Sequence, residues 1–194
     1  MLMPIQGARA YTAGLQPNEI RNPIMTGGVA GSAGTLPTNW TAFTSTGLTR
    51  TLAFGTEAGI PYCDWKIAGT ASGASGSSLG FEANTQIVAV VSQIWIVSGF
   101  VKLQAGSLAN LTTARLMLRE RNAGGSSLAT TSSTALSFLG GIPGLGLQGV
   151  KYMDALRTAQ ATCAFVQPSI EIAYNDTAAV DVTFRIGGVQ CYRL

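Results

Sequence analysis

From residue 23 onward the side chains sort onto two faces with a period of two. Residues 62–68 place Cys63, Trp65 and Ile67 on one side and Tyr62, Asp64 and Lys66 on the other, the pattern of a strand with one covered face. Residues 94–104 carry Trp95, Val97, Val101 and Leu103 on a common face, with Gly99 allowing a close approach. In residues 112–121, Leu116 and Leu118 point one way and Arg115, Met117, Arg119 and Arg121 the other. The same reading predicts strands at 40–44, 48–54, 79–82, 151–158, 163–174 and 180–186. Turn formers such as Ser45-Thr46-Gly47, Asn122-Ala123-Gly124-Gly125 and Asn175-Asp176-Thr177 separate them. Residues 70–78 (TASGASGSS) and 140–149 (GGIPGLGLQG) read as loops. A helix over 108–121 is the competing reading, permitted by its leucines and arginines; the alternation and Thr112-Thr113 favour a strand. Many short strands with turns between them predict an all-β fold, an antiparallel two-sheet β-sandwich of the jelly-roll kind.

Residues 1–22 (MLMPIQGARAYTAGLQPNEIRN) show neither period and are punctuated by Pro4, Gly7, Gly14 and Pro17. The expectation is an extended N-terminal arm over 1–22 that attaches to a subunit or particle, followed by the sandwich over 23–194; the alternative is a terminus with no docking role. Met1, Met3, Ile5, Tyr11 and Leu15 are the candidate apolar anchors of such an arm, and Arg9 and Arg21 the ionic ones. Fully stretched, it would reach about 70 Å at ~3.3 Å per residue.

Composition narrows the chemistry. No histidine occurs in the 194 residues, and the acids number nine. Ser-His-Asp triads, Cys-His pairs and histidine metal ligands are thereby excluded. Cys63, Cys163 and Cys191 are an odd number, far apart, and are expected as buried small hydrophobes and not as disulfides or a zinc site. Glycoside hydrolysis needs two acids within roughly 5–10 Å across a cleft. Asp176 with Asp181, and Asp64 with Glu82, flank turns where turn chemistry and solubility explain them. No enzymatic activity and no cofactor are expected; the oxygen-rich turns would suffice for a structural calcium ion, but no EF-hand pattern accompanies them.

Charged residues make up only 11% of the chain, against about 25% in an average protein, so partners or Ser, Thr, Asn and Gly cover its surface. A homo-oligomer is expected on that ground. The net charge of +3 includes no long basic run, so nucleic acid is not an expected partner. The apolar stretch at 87–103 is broken by Ser92, Gln93, Ser98 and Lys102, and residues 1–10 lack a signal-peptide core. Neither membrane insertion nor export is expected; the chain should fold inside the cell that makes it.

Among the aromatics, Trp40, Trp65 and Trp95 belong to strand faces that read as core, which leaves Tyr62 and Tyr152 as the candidates for an exposed ligand or subunit surface. Arg115, Arg119 and Arg121 form a row on one strand face, with alternate residues about 6.6 Å apart. Guanidinium groups bind carboxylates bidentately, so the row suits the acids of a neighbouring subunit or an acidic polysaccharide; the alternative is a solvated face balanced by Glu120 and Glu171.

The phrase at residues 21–31 (RNPIMTGGVAG), followed by 34–40 (GTLPTNW), resembles the opening of jelly-roll domains of tailed-phage structural proteins, which are similar in turn to carbohydrate-binding modules. Residues 55–62 (GTEAGIPY), 93–103 (QIWIVSGFVKL) and 180–190 (VDVTFRIGGVQ) extend the resemblance in the same order, over 21–194. It implies a domain like those of head spikes, head fibres and tail fibres of phages and gene transfer agents. The expected role is then a non-enzymatic decoration or fibre-base subunit on the surface of a particle assembled in the bacterial cytoplasm. Its partners would be capsid or fibre subunits. The alternative is a carbohydrate-binding domain that recognises host cell-surface polysaccharide.

Overall fold

The computed structural model describes the backbone of residues 17–135 and 152–194, and the side chains of 17–128 and 158–194. Among the described residues the regular structure is all strand. One sheet runs in the order β1 (Gly31–Ser32), β3 (Leu48–Glu57), β4 (Ile60–Thr70), β12 (Ala179–Arg193), β7 (Ile94–Gly106) and β10 (Tyr152–Thr158). The other runs β2 (Thr41–Phe43), β5 (Ser75–Gly80), β11 (Phe165–Tyr174), β8 (Leu111–Arg121) and β9 (Ser127–Ala135), with β6 (Ile87–Val88) beside β11 where β5 has ended. Strands 4-12-7-10 facing 5-11-8-9 are the eight strands of a jelly roll. Only the β8–β9 hairpin connects neighbours within that set of eight; the other links cross between sheets.

The period-two pattern places the core between the sheets. Cys63, Trp65 and Ile67 of β4, Val182, Phe184 and Ile186 of β12, and Val97 and Val101 of β7 face inward from the first sheet. Leu79 of β5, Ile170 and Ile172 of β11, and Leu116 and Leu118 of β8 meet them from the second. Each large apolar side chain so buried contributes about 2 kcal/mol. Trp65 stacks on Phe184 with ring centroids 6.2 Å apart, and Trp40 tilts against Phe81 at 5.1 Å. All three tryptophans are buried, so none offers a ring face to solvent. The turn at Ser45-Thr46-Gly47 forms as the sequence reads: Gly47 has φ +85°, a conformation natural to glycine.

Three local features differ from the sequence pattern. Residues 70–78 read as a loop, yet β5 runs through their serines and glycines. Its order comes from partners: β11 and β2 pair with it on either side, and the Ser77 hydroxyl bonds Tyr174 Oη at 2.9 Å and accepts the Ser45 amide. β9, rich in Ser and Thr, has no apolar alternation and is held in register by β8. Finally, residues 18–22, grouped on the sequence with the arm, pack into the sandwich. Ile20 is buried in the core, Glu19 N donates to Cys191 O, and Asn18 Oδ1 accepts the Cys191 amide. β4 pairs with β12 only as far as Gly187, and this segment occupies the vacated edge beyond it.

The phrase at 21–40 is knit by side chains. Asn22 Nδ2 donates to the carbonyls of Thr26 and Thr38, each at 2.9 Å, and Asn22 Oδ1 accepts the Thr26 amide and hydroxyl. Trp40 Nε1 donates to Asn22 O at 3.1 Å. Arg21 forks onto the fully buried Glu82 carboxylate, at 2.7 Å from Nη2, and its guanidinium is held more firmly protonated by that bond. Its carboxylate partner is therefore within its own domain.

Candidate functional site

Each sheet turns one face outward, and the two faces are built differently. On the first sheet the alternation aims Glu57, Tyr62, Asp64, Lys66, Lys102 and Arg185 outward. Arg185 donates bidentately to Asp64, at 2.8 Å from both Nε and Nη2, and through Nη1 to Glu57 at 2.7 Å. The Asp64 bond, then Glu57, hold Arg185 protonated beyond the usual arginine range against the burial that opposes it. Lys102 lies 3.8 Å from Glu57, and Lys66 lies 3.1 Å from Asp181. The Tyr62 ring packs against Gly55, which has no side chain to displace it, and carries the Arg185 guanidinium 3.8 Å above its centroid. Three cations here meet three carboxylates.

The second sheet's outer face is a floor between two walls. β5 contributes Gly76, Ser78 and Gly80, all small, and β11 contributes the small Ser169 and Ala173 with Glu171 between them, next to Arg115. On one side β2 raises Phe43, 58% exposed and level with Ser78. On the other side β8 raises Arg115, Arg119 and Arg121, with Met117 buried among them. Phe43 and Arg115 lie in one cross-strand row, three strand spacings or about 14 Å apart. Arg115 donates to Glu171 through Nε at 3.1 Å and Nη2 at 2.6 Å, and Arg119 Nη2 pairs with the other oxygen of the same carboxylate. Arg121 meets no carboxylate among the described residues. It donates to Gln167 Oε1 and Gly125 O, and burial, then the charge of Arg119, lower its pKa. Gln167 in turn crosses over Gly80 to donate to Thr41 Oγ1 at 3.0 Å, which closes one end of the floor. Ser169 Oγ is buried on this face without a hydrogen-bond partner.

The structure thus brings Arg115, Arg119 and Arg121 together on one outer face, as their spacing predicts, but adds Phe43, which the sequence reading passed over. Its signal was slight: Phe43 stands two residues before the turn at Ser45, in a strand of three residues whose inward neighbour, Ala42, is small. Tyr62 faces outward on the opposite sheet, and its engagement by Arg185 leaves less of the ring free than the sequence implied. Tyr152 is in register with Phe100, but its side chain, together with Met3, Ile5, Arg9, Tyr11 and Leu15, lies outside the described residues.

The acids considered for catalysis are dispersed. Asp64 belongs to the Arg185 fork, Glu82 to Arg21, and Asp181 to Lys66. Asp176 Oδ1 accepts the Gly73 and Thr177 amides at 2.6 and 2.8 Å, a turn-capping role. Glu120, buried on the inner face of β8, accepts from the Gln160 amide and side chain.

No family model matches the sequence, and no curated protein does. Solved structures with the same fold do. An arabinose-bound α-L-arabinofuranosidase aligns over 95% of this chain and 27% of its own, at 13% identity and a TM-score of 0.55. A carbohydrate-binding module of the β-sandwich superfamily aligns over 79% of this chain and 56% of its own, with 15% identity and a TM-score of 0.48. The enzymatically active domain of tailspike protein 4 from bacteriophage CBA120 aligns over 81% of this chain and 20% of its own, with 14% identity and a TM-score of 0.46. This chain spans about half, or less, of each of those chains. What it shares with them is the two-sheet β-sandwich.

Proposed function

We propose that this protein is a non-catalytic carbohydrate-recognition module and that the outer face of the second sheet is its binding groove. The observation that carries the reading is the side-chain-poor floor of Gly76, Ser78 and Gly80 between the exposed Phe43 ring and the arginine wall. An aromatic face complements the C–H face of a pyranose, and a flat floor lets the ring lie along the sheet. Polar donors on the opposite wall then orient the sugar hydroxyls. The β-sandwich shared with known carbohydrate-binding modules is in keeping with this reading, but the groove residues carry it. Affinity electrophoresis in gels containing host surface polysaccharide tests it. The wild type should be retarded and Phe43→Ala should run freely with an unchanged melting temperature; equal mobility of the two, or no retardation of either, would overturn it.

A second reading, a subunit on the surface of a phage or gene-transfer-agent particle, is compatible with the first and draws on a separate surface. Val88, Val90, Val91 and Ile94 are exposed along one short segment, and exposed Leu194 donates its amide to Ile94 O. Apolar exposure of this kind marks a protein-docking surface. Capsid or fibre subunits, or further copies of this chain, are the proposed partners. Removal of residues 1–16, which spares the packed segment from Asn18 onward, should leave a folded sandwich that no longer joins particles if the arm is the attachment.

A further inference from the structure

We infer that the ligand of this groove is an acidic polysaccharide, held by its uronate carboxylates against the β8 arginine wall; the inference rests on the carbohydrate reading above and names its substrate class. The charge count is the first argument. Arg115 and Arg119 share one carboxylate, Glu171, and Arg121 meets none among the described residues, which leaves an excess of two positive charges on this outer face of a protein whose net charge is only +3. The opposite outer face, by contrast, balances each of Arg185, Lys66 and Lys102 with a carboxylate. An unbalanced row costs folding free energy through mutual repulsion; burial first, and the charge of Arg119 second, lower the pKa of Arg121.

Geometry is the second argument. Glu171 takes Nε and Nη2 of Arg115 and Nη2 of Arg119, which fixes both guanidiniums in place. Their Nη1 groups have no acceptor among the described residues. A guanidinium has five N–H donors in a fixed fork, so each can still receive a carboxylate edge. Residues 115 to 121 extend over about 20 Å of strand, a length that suits a chain with repeated negative groups better than a single anion. Phe43, about 14 Å across the sheet, then faces the sugar rings to which those carboxylates are attached. Mobile counter-ions would neutralise the row equally well, but would leave the aromatic wall unexplained.

The test compares four probes by isothermal titration at low salt: polygalacturonate, its carboxyl-reduced neutral form, dextran sulfate and single-stranded oligothymidylate. Polygalacturonate should bind at least tenfold tighter than the carboxyl-reduced polymer, and its affinity should fall steeply between 50 and 500 mM salt. Arg121→Gln and Arg115→Gln should each weaken polygalacturonate about tenfold, leave the neutral polymer unaffected and leave the melting temperature within a few degrees. Arg121→Gln removes no partner of a carboxylate, so it stays informative if Arg115→Gln disturbs Glu171. Equal binding of the charged and neutral polymers would overturn the acidic-ligand inference and preserve the carbohydrate reading. Absence of binding to both sugars would sink that reading as well. Tighter binding of dextran sulfate or of oligothymidylate than of polygalacturonate would assign the arginine wall to sulfate or phosphate and overturn the uronate assignment.

Discussion

The two outer faces are made by the same alternation, on sheets that share one core, and they use charge in opposite ways. On the first sheet, Arg185 is held by Asp64 and Glu57, Lys102 by Glu57 and Lys66 by Asp181. Those pairs span β3, β4, β12 and β7. On the second, Arg115 and Arg119 share Glu171 of β11, Arg121 meets no carboxylate among the described residues, and β5 beyond β11 contributes glycine and serine in place of carboxylates. Charge on the first face is neutralised within the fold; on the proposed reading, the charge left over on the second serves a ligand. The first face is therefore self-contained in charge, and the second is where a partner would be met.

Arg185→Ala should produce the largest effect. It leaves Asp64 and Glu57 half-buried without their shared cation and removes the cover from Tyr62. Urea unfolding should show a loss of about 2–3 kcal/mol, with saccharide binding unchanged; a loss of binding would mean that the first face takes part in recognition.

Alkaline unfolding sharpens the contrast next, because both core thiols of the central strands belong to the first sheet. Burial pushes Cys63 up to about 12 and raises Cys191 further. Below the unfolded thiol value of about 8.5 both states are protonated and the stability is fully present. Above it only the unfolded chain loses protons, so stability should fall by about 1.4 kcal/mol per pH unit for each thiol until the folded value is reached. Cys63→Ala should halve that slope in urea titrations between pH 8.5 and 10.5; an unchanged slope would refute the assignment.

A smaller effect is expected at Gly80. A Cβ there would come within 2.5 Å of Gln167 Nε2 and 2.6 Å of Thr41 Oγ1, both ends of movable side chains. Gly80→Ala should cost about 1 kcal/mol, the value of a lost hydrogen bond, while weakening saccharide binding several-fold as Gln167 shifts into the groove. Arg121→Gln should be the mildest, within about 1 kcal/mol of wild type in stability, since the hydrogen bonds it gives up to Gln167 and Gly125 are offset by removal of a cation that no carboxylate balances. A marked destabilisation would show that Arg121 is a structural residue and that the excess charge is only apparent.

The sequence already contained most of this architecture. The inward set of β4, β7, β8 and β12 was legible because burial on one face imposes strict alternation on residues such as Cys63, Trp65 and Ile67. The arginine wall followed from the same period. β5 and β9 were not legible, because Ser75–Gly80 and Ser127–Ala135 carry little apolar contrast and are extended only because β11 and β8 offer them backbone partners. Residues 18–22 misled for a similar reason: a single inward isoleucine and a bonding asparagine have no period, though each has a defined place beside Cys191 and in the core.

By itself, then, the order of amino acids determined that the chain is a sandwich, which residues line its interior and which strand carries the arginines, because these depend on local periodicity and composition. Which acids stand beside which cations was decided only in three dimensions. Glu171 and Arg115 are 56 residues apart, and Asp64 and Arg185 are 121 apart. Strand order and register alone bring one pair to a balanced face and the other to a face with charge to spare, and they alone set Phe43 across the glycine and serine of β5 from that charge.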